Sequence, residues 1–427
     1  DLHSFPTRRS SDLRTSSVSA PKVAFVNLGC RVNRDELDDI ADTLLALGCE
    51  LSPSAEADAV VVNSCAVTAE AEAKTRKLLR RMAALPQAPE VVATGCAVNL
   101  FADELRGLAP NISVVRDKSQ VATRVLGLVG APIGGIDDAG LLRGTPTGRT
   151  RLGIKIQDGC DRRCSYCIVW KARGRARSIG AGEVVRRVRR ASGRGCAEVV
   201  LSGINIGSYE AGGLRLSGLL SLLMRETDVR RVRIGSIEPP DVGVELLEVM
   251  AANPERIAPF LHICLQSGSD ATLSRMGRAY DSAAFARAVK TARRMLPGVA
   301  LGTDVIVGFP GETKGEFEQS LAFCQEMGFS RMHVFRYSKR PGTPAASAPD
   351  QVDPRLAAKR GARMRDLARS MRLEAASMLL GTEQLVVVER RGRGVTGGLF
   401  DVRLDPTVAV GTLVRATPKF VDRKSVV

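Results

Sequence analysis

The stretch IQDGCDRRCSYC places Cys160, Cys164 and Cys167 in a C-x3-C-x2-C spacing. Three thiolates this close on one loop can hold three corners of a cubane iron–sulfur cluster and leave the fourth iron open to another ligand. A structural zinc site wants four closed ligands, and no nearby Cys or His supplies the fourth. A second set, Cys30, Cys65 and Cys96, is dispersed through LGCRVN, NSCAVT and TGCAV. Taken singly, a cysteine after a strand is ordinarily a small buried hydrophobe. Three at equivalent positions point to a second three-thiolate site. The other four, Cys49, Cys196, Cys264 and Cys324, follow no pattern and read as core or surface thiols.

The elements that must carry these thiols can be read from hydrophobic periodicity. Val23–Leu28, Ala59–Val62 and Glu90–Ala93 are short apolar runs that predict buried strands, each ending just before one of the dispersed cysteines. Helical spacing over Asp35–Leu47 and Glu70–Leu85 completes a strand–Cys–helix repeat, the pattern of a parallel α/β, Rossmann-like unit. A parallel sheet then gathers Cys30, Cys65 and Cys96 at its carboxyl edge, where such sheets bind ligands. This unit is expected over residues 21–129, followed by a Gly-, Pro- and Asp-rich linker over 130–149. A second α/β series over 150–380 has strands at Leu152–Ile156, Glu198–Leu201, Arg231–Ile234, Pro259–Leu265, Ala300–Val307 and Arg331–Phe335, with helices such as Glu183–Ala191 and Ala283–Arg294 between them. Six units favour a partial (β/α)6 barrel over a closed eightfold one. A long basic helix, Leu356–Leu380, leads into strand-like segments at Gln384–Glu389, Leu399–Leu404 and Thr412–Ala416, a small β-barrel module over 381–421.

The ends look foreign. FPTRRSSDL near the start and DRKSVV at the close back-translate into complementary stretches, and resemble a sequencing adaptor read through as coding sequence. Residues 1–20 and 422–427 are therefore excluded from the fold, and the β module is expected to be cut short.

Composition bounds the function. The 427 residues are 44% apolar, 25% charged and 4% aromatic, which excludes a disordered chain, and ten cysteines are too dilute for a disulfide scaffold. No window approaches the roughly 18 consecutive apolar residues of a membrane span, and the N-terminus lacks a signal-peptide core. A soluble cytoplasmic protein without membrane contact is expected. Lys and Arg number 62 against 46 Asp and Glu, a net charge of +16 that suits a polyanionic partner.

The C-x3-C-x-Y-C motif at the head of a β/α series resembles the radical S-adenosylmethionine superfamily. That resemblance implies that the open iron chelates S-adenosylmethionine and that the cluster cleaves it to a 5′-deoxyadenosyl radical. With the dispersed trio in front and the β module behind, residues 21–421 resemble the methylthiotransferase family. Other matching stretches are EVVLSGINIGSY, RIGSIEP, LHICLQSGSDATLSRMGRAY, DVIVGFPGET and HVFRYSKRPGTPAA. The resemblance implies two 4Fe–4S clusters: one at Cys160, Cys164 and Cys167 that cleaves S-adenosylmethionine, and an auxiliary one at Cys30, Cys65 and Cys96 that presents sulfur. It also implies a TRAM, OB-like module that holds RNA, an electron donor of flavodoxin or ferredoxin type, and a sulfur source. Family branches act on isopentenyladenosine in tRNA, on threonylcarbamoyladenosine in tRNA, or on an aspartate of a small-subunit ribosomal protein. LGCRVN and NSCAVT resemble the threonylcarbamoyladenosine branch, since the other two carry Gln-Met-Asn or Pro-Lys-Asn after the first cysteine. The expected reaction is methylthiolation of C2 of that nucleoside beside the anticodon. A non-catalytic RNA-binding iron–sulfur protein is the remote alternative.

Supporting residues follow from the same frame. Ser202, Gly203 and Asn205 follow a strand where the superfamily contacts the cofactor, and Ser236, Glu238, Gln266 and Asp304 terminate barrel strands with side chains expected to face the site. Tyr166 is expected near adenine. Lys171–Arg194 holds nine basic residues against Glu183 alone. Arg173, Arg175 and Arg177 are expected to meet tRNA phosphates, while Arg186–Arg190 is equally a solvated helix face. Trp170, the single tryptophan, stands where the family shows proline, as do Cys264 and Arg336; it can stack on a base. The loop GFPGE, Gly308–Glu312, is expected to do backbone work. His262 and His333 read as core histidines rather than ligands.

Overall fold

A computed structural model describes residues 20–130 and 149–422. The N-terminal tail, the interior of the expected linker and residues 423–427 lie outside the described residues.

The first unit is a five-stranded parallel sheet of β1 (Lys22–Asn27), β2 (Glu50–Leu51), β3 (Ala59–Ser64), β4 (Glu90–Gly95) and β5 (Ile112–Val114), in the order β2-β1-β3-β4-β5. Helices α1 (Arg31–Ala46), α2 (Ala69–Ala83), α3 (Cys96–Arg106) and α4 (Val121–Leu128) alternate with the strands. Central strand β3, AVVVNS, is buried along its whole length, as a strand covered by helices on both faces must be. Thr68 caps α2 by accepting from the Ala71 amide at 3.1 Å. Helix α1 begins four residues earlier than its apolar spacing predicts, directly at Cys30, because polar Asn33 is drawn inward by hydrogen bonds from the sheet edge. Strands β2 and β5 are edge strands of two and three residues, too short to show a period.

The second unit has six parallel strands, β6 (Arg151–Lys155), β7 (Glu198–Ser202), β8 (Val232–Ile234), β9 (Phe260–Ile263), β10 (Ala300–Val307) and β11 (Arg331–Arg336). They answer one for one to the six expected. Strands β6, β7 and β8 pair in one sheet, and β9, β10 and β11 in another, with Ser236–Ile237 beside β9. Helices α5 (Val169–Arg173), α6 (Ala181–Gly193), α7 (Leu216–Glu226), α8 (Val244–Ala252), α9 (Ser282–Met295) and α10 (Lys314–Met327) follow in turn. One continuous core, including Val188, Leu201, Leu219, Ile263, Val305 and Phe317, joins strands and helices. Thr313 and Glu316 form a reciprocal capping box at the start of α10. Asp353 caps the long helix α11 (Pro354–Ser377), which opens on proline.

The C-terminal segment forms a four-stranded antiparallel sheet of β12 (Gln384–Arg390), β13 (Arg393–Thr396), β14 (Asp401–Arg403) and β15 (Leu413–Ala416), ordered β14-β13-β12-β15. Strand β13 was hidden by its Gly- and Arg-rich sequence. The sheet packs on the N-terminal ends of the barrel-type strands: Phe260 and Ala300 share a core with Val387, Val395 and Phe400. Arg233 donates to the Gly397 carbonyl at 2.6 Å and to buried Glu198 at 2.8 Å.

Helix α1 lies along β6, which brings the first two units together. Gly153 has no side chain where the Asp35 carboxylate sits, and Ser202 donates its hydroxyl to that carboxylate. Further along, Arg187 meets Asp39 at 3.0 Å and Arg194 meets Asp42 at 2.8 Å.

Candidate functional site

Parallel register sets the first thiol trio. Asn27 pairs with Asn63 and Ser64 with Gly95, so β1, β3 and β4 end level and Cys30, Cys65 and Cys96 emerge at one carboxyl edge. Asn33 ties the edge together: its amide donates to Asn63 Oδ1 at 2.9 Å and to the Ser64 carbonyl at 2.8 Å. Its Oδ1 faces the Cys30 sulfur at 3.3 Å. Gly95 has φ 99°, and a Cβ there would collide with Asn63 and the Ser64 backbone, so only glycine delivers Cys96 to this edge.

The second trio sits on the loop after β6. The Cys160 amide donates to the Gly174 carbonyl at 3.1 Å, Ser165 N to the Met276 carbonyl at 2.9 Å, and Cys167 N to the Cys164 carbonyl at 3.0 Å. Arg278, from the stretch SRMGRAY, donates to Cys164 Sγ at 3.1 Å and to Glu238 at 2.6 Å.

All ten cysteines are free thiols. Burial pushes Cys30, Cys65 and Cys160 above the ordinary thiol range, and Cys167 to about 11; within each trio, neighbouring thiols push in the same direction. Burial that raises a thiol is what a cationic centre reverses, since metals bind thiolate and displace the proton. Three soft sulfur donors per site fit an iron–sulfur group. Both trios pass this test on their own chemistry.

Arg173 joins the two sites. Its guanidinium donates to Glu36 at 2.6 Å, Asp158 at 3.1 Å, Asn33 Oδ1 at 2.7 Å and Cys96 Sγ at 3.3 Å, with the side chain 2% exposed. The expected role of Arg173 as a phosphate contact is corrected: buried and fully engaged, it cannot reach a polyanion. Arg175 and Arg177 are exposed, at 91% and 68% of the side chain, although Arg177 also meets Asp158 at 3.2 Å. On α6, Arg186 pairs with Glu183 in the open, as a solvated face would, whereas Arg187 pairs with Glu183 and also reaches Asp39 of α1.

A cavity of about 690 Å³ opens beside Cys30, Cys160, Cys164 and Cys167. Tyr166, Trp170, Ser202, Gly203, Asn205, Ser236, Glu238, Gln266 and Asp304 all stand on its wall. Cys65 and Cys96 lie behind it, buried. Gly203 backs onto Gln157, whose Oε1 accepts from the Asn205 amide at 2.8 Å. Gln266 adopts φ 69° and bridges to β10 through the Asp304 carbonyl, 2.8 Å away. Tyr166 packs edge-on against Phe309 in the GFPGE loop, where Glu312 accepts from the Gly308 amide at 2.8 Å. Arg163 lies 4.2 Å over the half-buried Trp170 ring.

His333, with its side chain 45% exposed, departs from the expected core role, whereas His262 is buried as expected. Both line the cavity and converge on Asp304 Oδ1, at 3.2 and 3.0 Å. Arg331 Nε donates to His333 Nε2 at 3.2 Å, so Nδ1 carries the proton given to Asp304. Against burial, which opposes ionisation, the two imidazoles hold Asp304 well below the usual carboxylate range. Cys264, expected to be an ordinary thiol, also reaches the cavity. Sequence reasoning missed Asn33, Glu36, Asp158 and Arg278 as well; only the alternation of His333 with Arg331 and Phe335 on one strand face hinted at a shared surface.

The sequence profile of the radical SAM superfamily matches residues 154–324, and that of the uncharacterized protein family UPF0004 matches residues 22–116. The threonylcarbamoyladenosine tRNA methylthiotransferase MtaB of Thermotoga maritima is 34% identical over 375 residues, covering 86% of this chain and 86% of that protein. MtaB of Bacillus subtilis is 37% identical over 374 residues, covering 83% and 82%. A ribosomal protein uS12 methylthiotransferase RimO of Desulforudis audaxviator is 32% identical over 389 residues, covering 87% and 86%. The fold is shared with the radical S-adenosylmethionine methyltransferase TsrM of Kitasatospora setae, at a TM-score of 0.55 and 16% identity over 77% of each chain. Parallel β/α architecture and a C-x3-C-x2-C loop at the mouth of a cavity define a radical SAM enzyme. The chain belongs to the methylthiotransferase family of that superfamily.

Among the described residues no helix is long and apolar enough to cross a membrane.

Proposed function

We propose that this enzyme methylthiolates C2 of N6-threonylcarbamoyladenosine beside the anticodon of tRNA, using S-adenosylmethionine and two 4Fe–4S clusters. The observation that carries it is a cavity lined by all three thiols of one trio and by Cys30 of the other, with Cys65 and Cys96 buried away from its wall. Cys160, Cys164 and Cys167 would hold the cluster that binds S-adenosylmethionine, and Cys30, Cys65 and Cys96 the auxiliary one. When bound, these groups supply one-electron chemistry at an inert aromatic C–H bond together with the sulfur and methyl that replace the hydrogen.

The chain's own residues do the positioning. Arg278 and Arg173 each place a guanidinium against a cluster sulfur, at Cys164 and Cys96, and both are anchored by carboxylates, so neither can swing away. Ser202, Gly203, Asn205, Ser236, Glu238 and Gln266 provide a wall of backbone and short polar groups suited to the cofactor, and Tyr166 an aromatic face for adenine. The cavity walls supplied by the two units would limit solvent at the reacting centre. Exposed Arg175 and Arg177, the Arg163–Trp170 stack and the C-terminal antiparallel sheet, read as a TRAM-like module, would receive tRNA. An electron donor of flavodoxin or ferredoxin type and a sulfur source complete the cycle. The reading places the protein in the cytoplasm, where its tRNA substrate is.

The test is anaerobic iron analysis with mass spectrometry of tRNA nucleosides from strains with and without the gene. The expected result is about eight irons per chain. Cys65→Ala and Cys160→Ala should each lose about half, and deletion should remove the methylthio form of threonylcarbamoyladenosine. About four irons in the unaltered protein, or methylthiolated ribosomal protein in place of tRNA, would refute the proposal.

A further inference from the structure

The cavity wall carries more positive charge than its carboxylates balance. Glu238 is bound by Arg162 and Arg278, and Asp304 by His262 and His333. Arg233 is spent on buried Glu198, and Arg151 on Glu389 at 2.6 Å. Two guanidiniums remain. Arg31, the residue after Cys30, lines the cavity and makes no close side-chain hydrogen bond or ion pair among the described residues; the strongest opposite charge acting on it is the Asp35 carboxylate, which takes its hydrogen bond from Ser202. Arg331, which opens β11, lines it too; its only side-chain partner among the described residues is His333 Nε2, which leaves both terminal nitrogens uncommitted. Burial, then the nearby guanidinium of Arg372, lowers the Arg331 pKa; Asp401, the anion that opposes this, is itself paired with Arg372, and Arg31 adds to the lowering.

The site is a recess of limited volume, open to solvent on one side. About 690 Å³ accommodates a nucleoside with a cofactor, and a polynucleotide backbone does not thread such a space. The anion that reaches these two residues therefore has to be carried on the inserted base. Strand β11 alternates Arg331, His333 and Phe335 along the cavity, so a cation, an imidazole and an aromatic face are presented in a row to one planar substituted ring.

We propose that Arg31 and Arg331 form the specificity pocket for the carboxylate on the threonyl arm of the substrate base, and so select it over a neutral isopentenyl arm. This inference rests on the tRNA substrate named above and deepens it. Guanidinium suits a carboxylate because its donors fork to both oxygens.

The experiment uses reconstituted holoenzyme and two tRNAs alike except at the modified base: one bearing threonylcarbamoyladenosine, the other its uncharged carboxamide. For Arg31→Gln and, separately, Arg331→Gln, kcat/KM on the acid-bearing tRNA should fall about 10- to 100-fold, the range for losing a charged hydrogen bond. The carboxamide tRNA should be turned over equally by all three proteins. Arg31→Lys should recover part of the loss. Iron content and tRNA-free release of 5′-deoxyadenosine should not change. Equal losses on both tRNAs would assign the arginines to a phosphate, and loss of tRNA-free 5′-deoxyadenosine would assign them to the cofactor carboxylate; either overturns the inference, as does unchanged turnover. The unaltered enzyme reports separately on the substrate: if it leaves the acid-bearing tRNA unmodified, the proposed function falls and this inference with it.

Discussion

Replacing Arg173 by methionine tests whether the two thiol sites are held together by buried charge. The substitution keeps most of the volume and removes the cation that binds Glu36, Asp158, Asn33 and the Cys96 sulfur. Removing one partner of a buried ion pair costs about 3–5 kcal/mol, because the other charge is left desolvated. Glu36 retains Lys155 at 2.8 Å and Lys118, so the lower end applies, about 3 kcal/mol. Since helix α1 carries Glu36, the loss should appear as easier local opening of α1 from β6. Native-state hydrogen exchange under anaerobic conditions reads this directly: α1 amides should exchange roughly 100-fold faster, at about 1.4 kcal/mol per tenfold. A double variant, Arg173→Met with Glu36→Gln, should recover part of the loss, with a coupling energy of about 2 kcal/mol. Exchange rates unchanged in the single variant, or additive effects in the double, would refute a charge-held junction.

Three further outcomes follow from burial and charge. Burial opposes ionisation of Glu198 and Asp158, yet the guanidiniums of Arg233 and Arg231 hold the first at about 2 and that of Arg173 the second at about 2. Their folded values lie below the unfolded ones, so the stability they contribute is complete above about pH 4 and should vanish as pH falls toward 2; thermal melts by circular dichroism over that window should show it, with a flatter slope in Glu198→Gln. Asp35 has the opposite sign: burial raises it to about 7, so its contribution is intact below about pH 4 and declines as pH rises through 7. Asp35→Asn should accordingly gain stability relative to the unaltered protein at pH 8 and little at pH 4, measured by the same melts. Gly153→Ala would place a Cβ inside the Asp35 carboxylate and should destabilise the α1–β6 contact by about 1–3 kcal/mol, seen as a lower thermal midpoint.

Local sequence sufficed for the strands and for the thiols. Valine-rich runs ahead of Cys30, Cys65 and Cys96 announce buried parallel strands, and parallel strands deliver whatever follows them to one edge. The C-x3-C-x2-C loop needs no tertiary contact to group three thiols, because its spacing already holds them close. Edge strands β2 and β5 and the Gly-rich β13 escaped notice, since two to four residues hold no period. What lay beyond reach was everything that joins residues distant along the chain. Arg173 looks like one cation in a basic run until Glu36, from a different unit, closes over it. His262, Asp304 and His333 come from three strands and meet only when β9, β10 and β11 lie side by side. Arg31 and Arg331 acquire meaning only once every carboxylate near them has another partner. Periodicity and spacing are properties of neighbours in sequence, so the chain alone determines its elements and which of its thiols fall into groups. Burial and charge balance are sums over neighbours in space, and the fold alone decides which polar groups are left free to take a substrate.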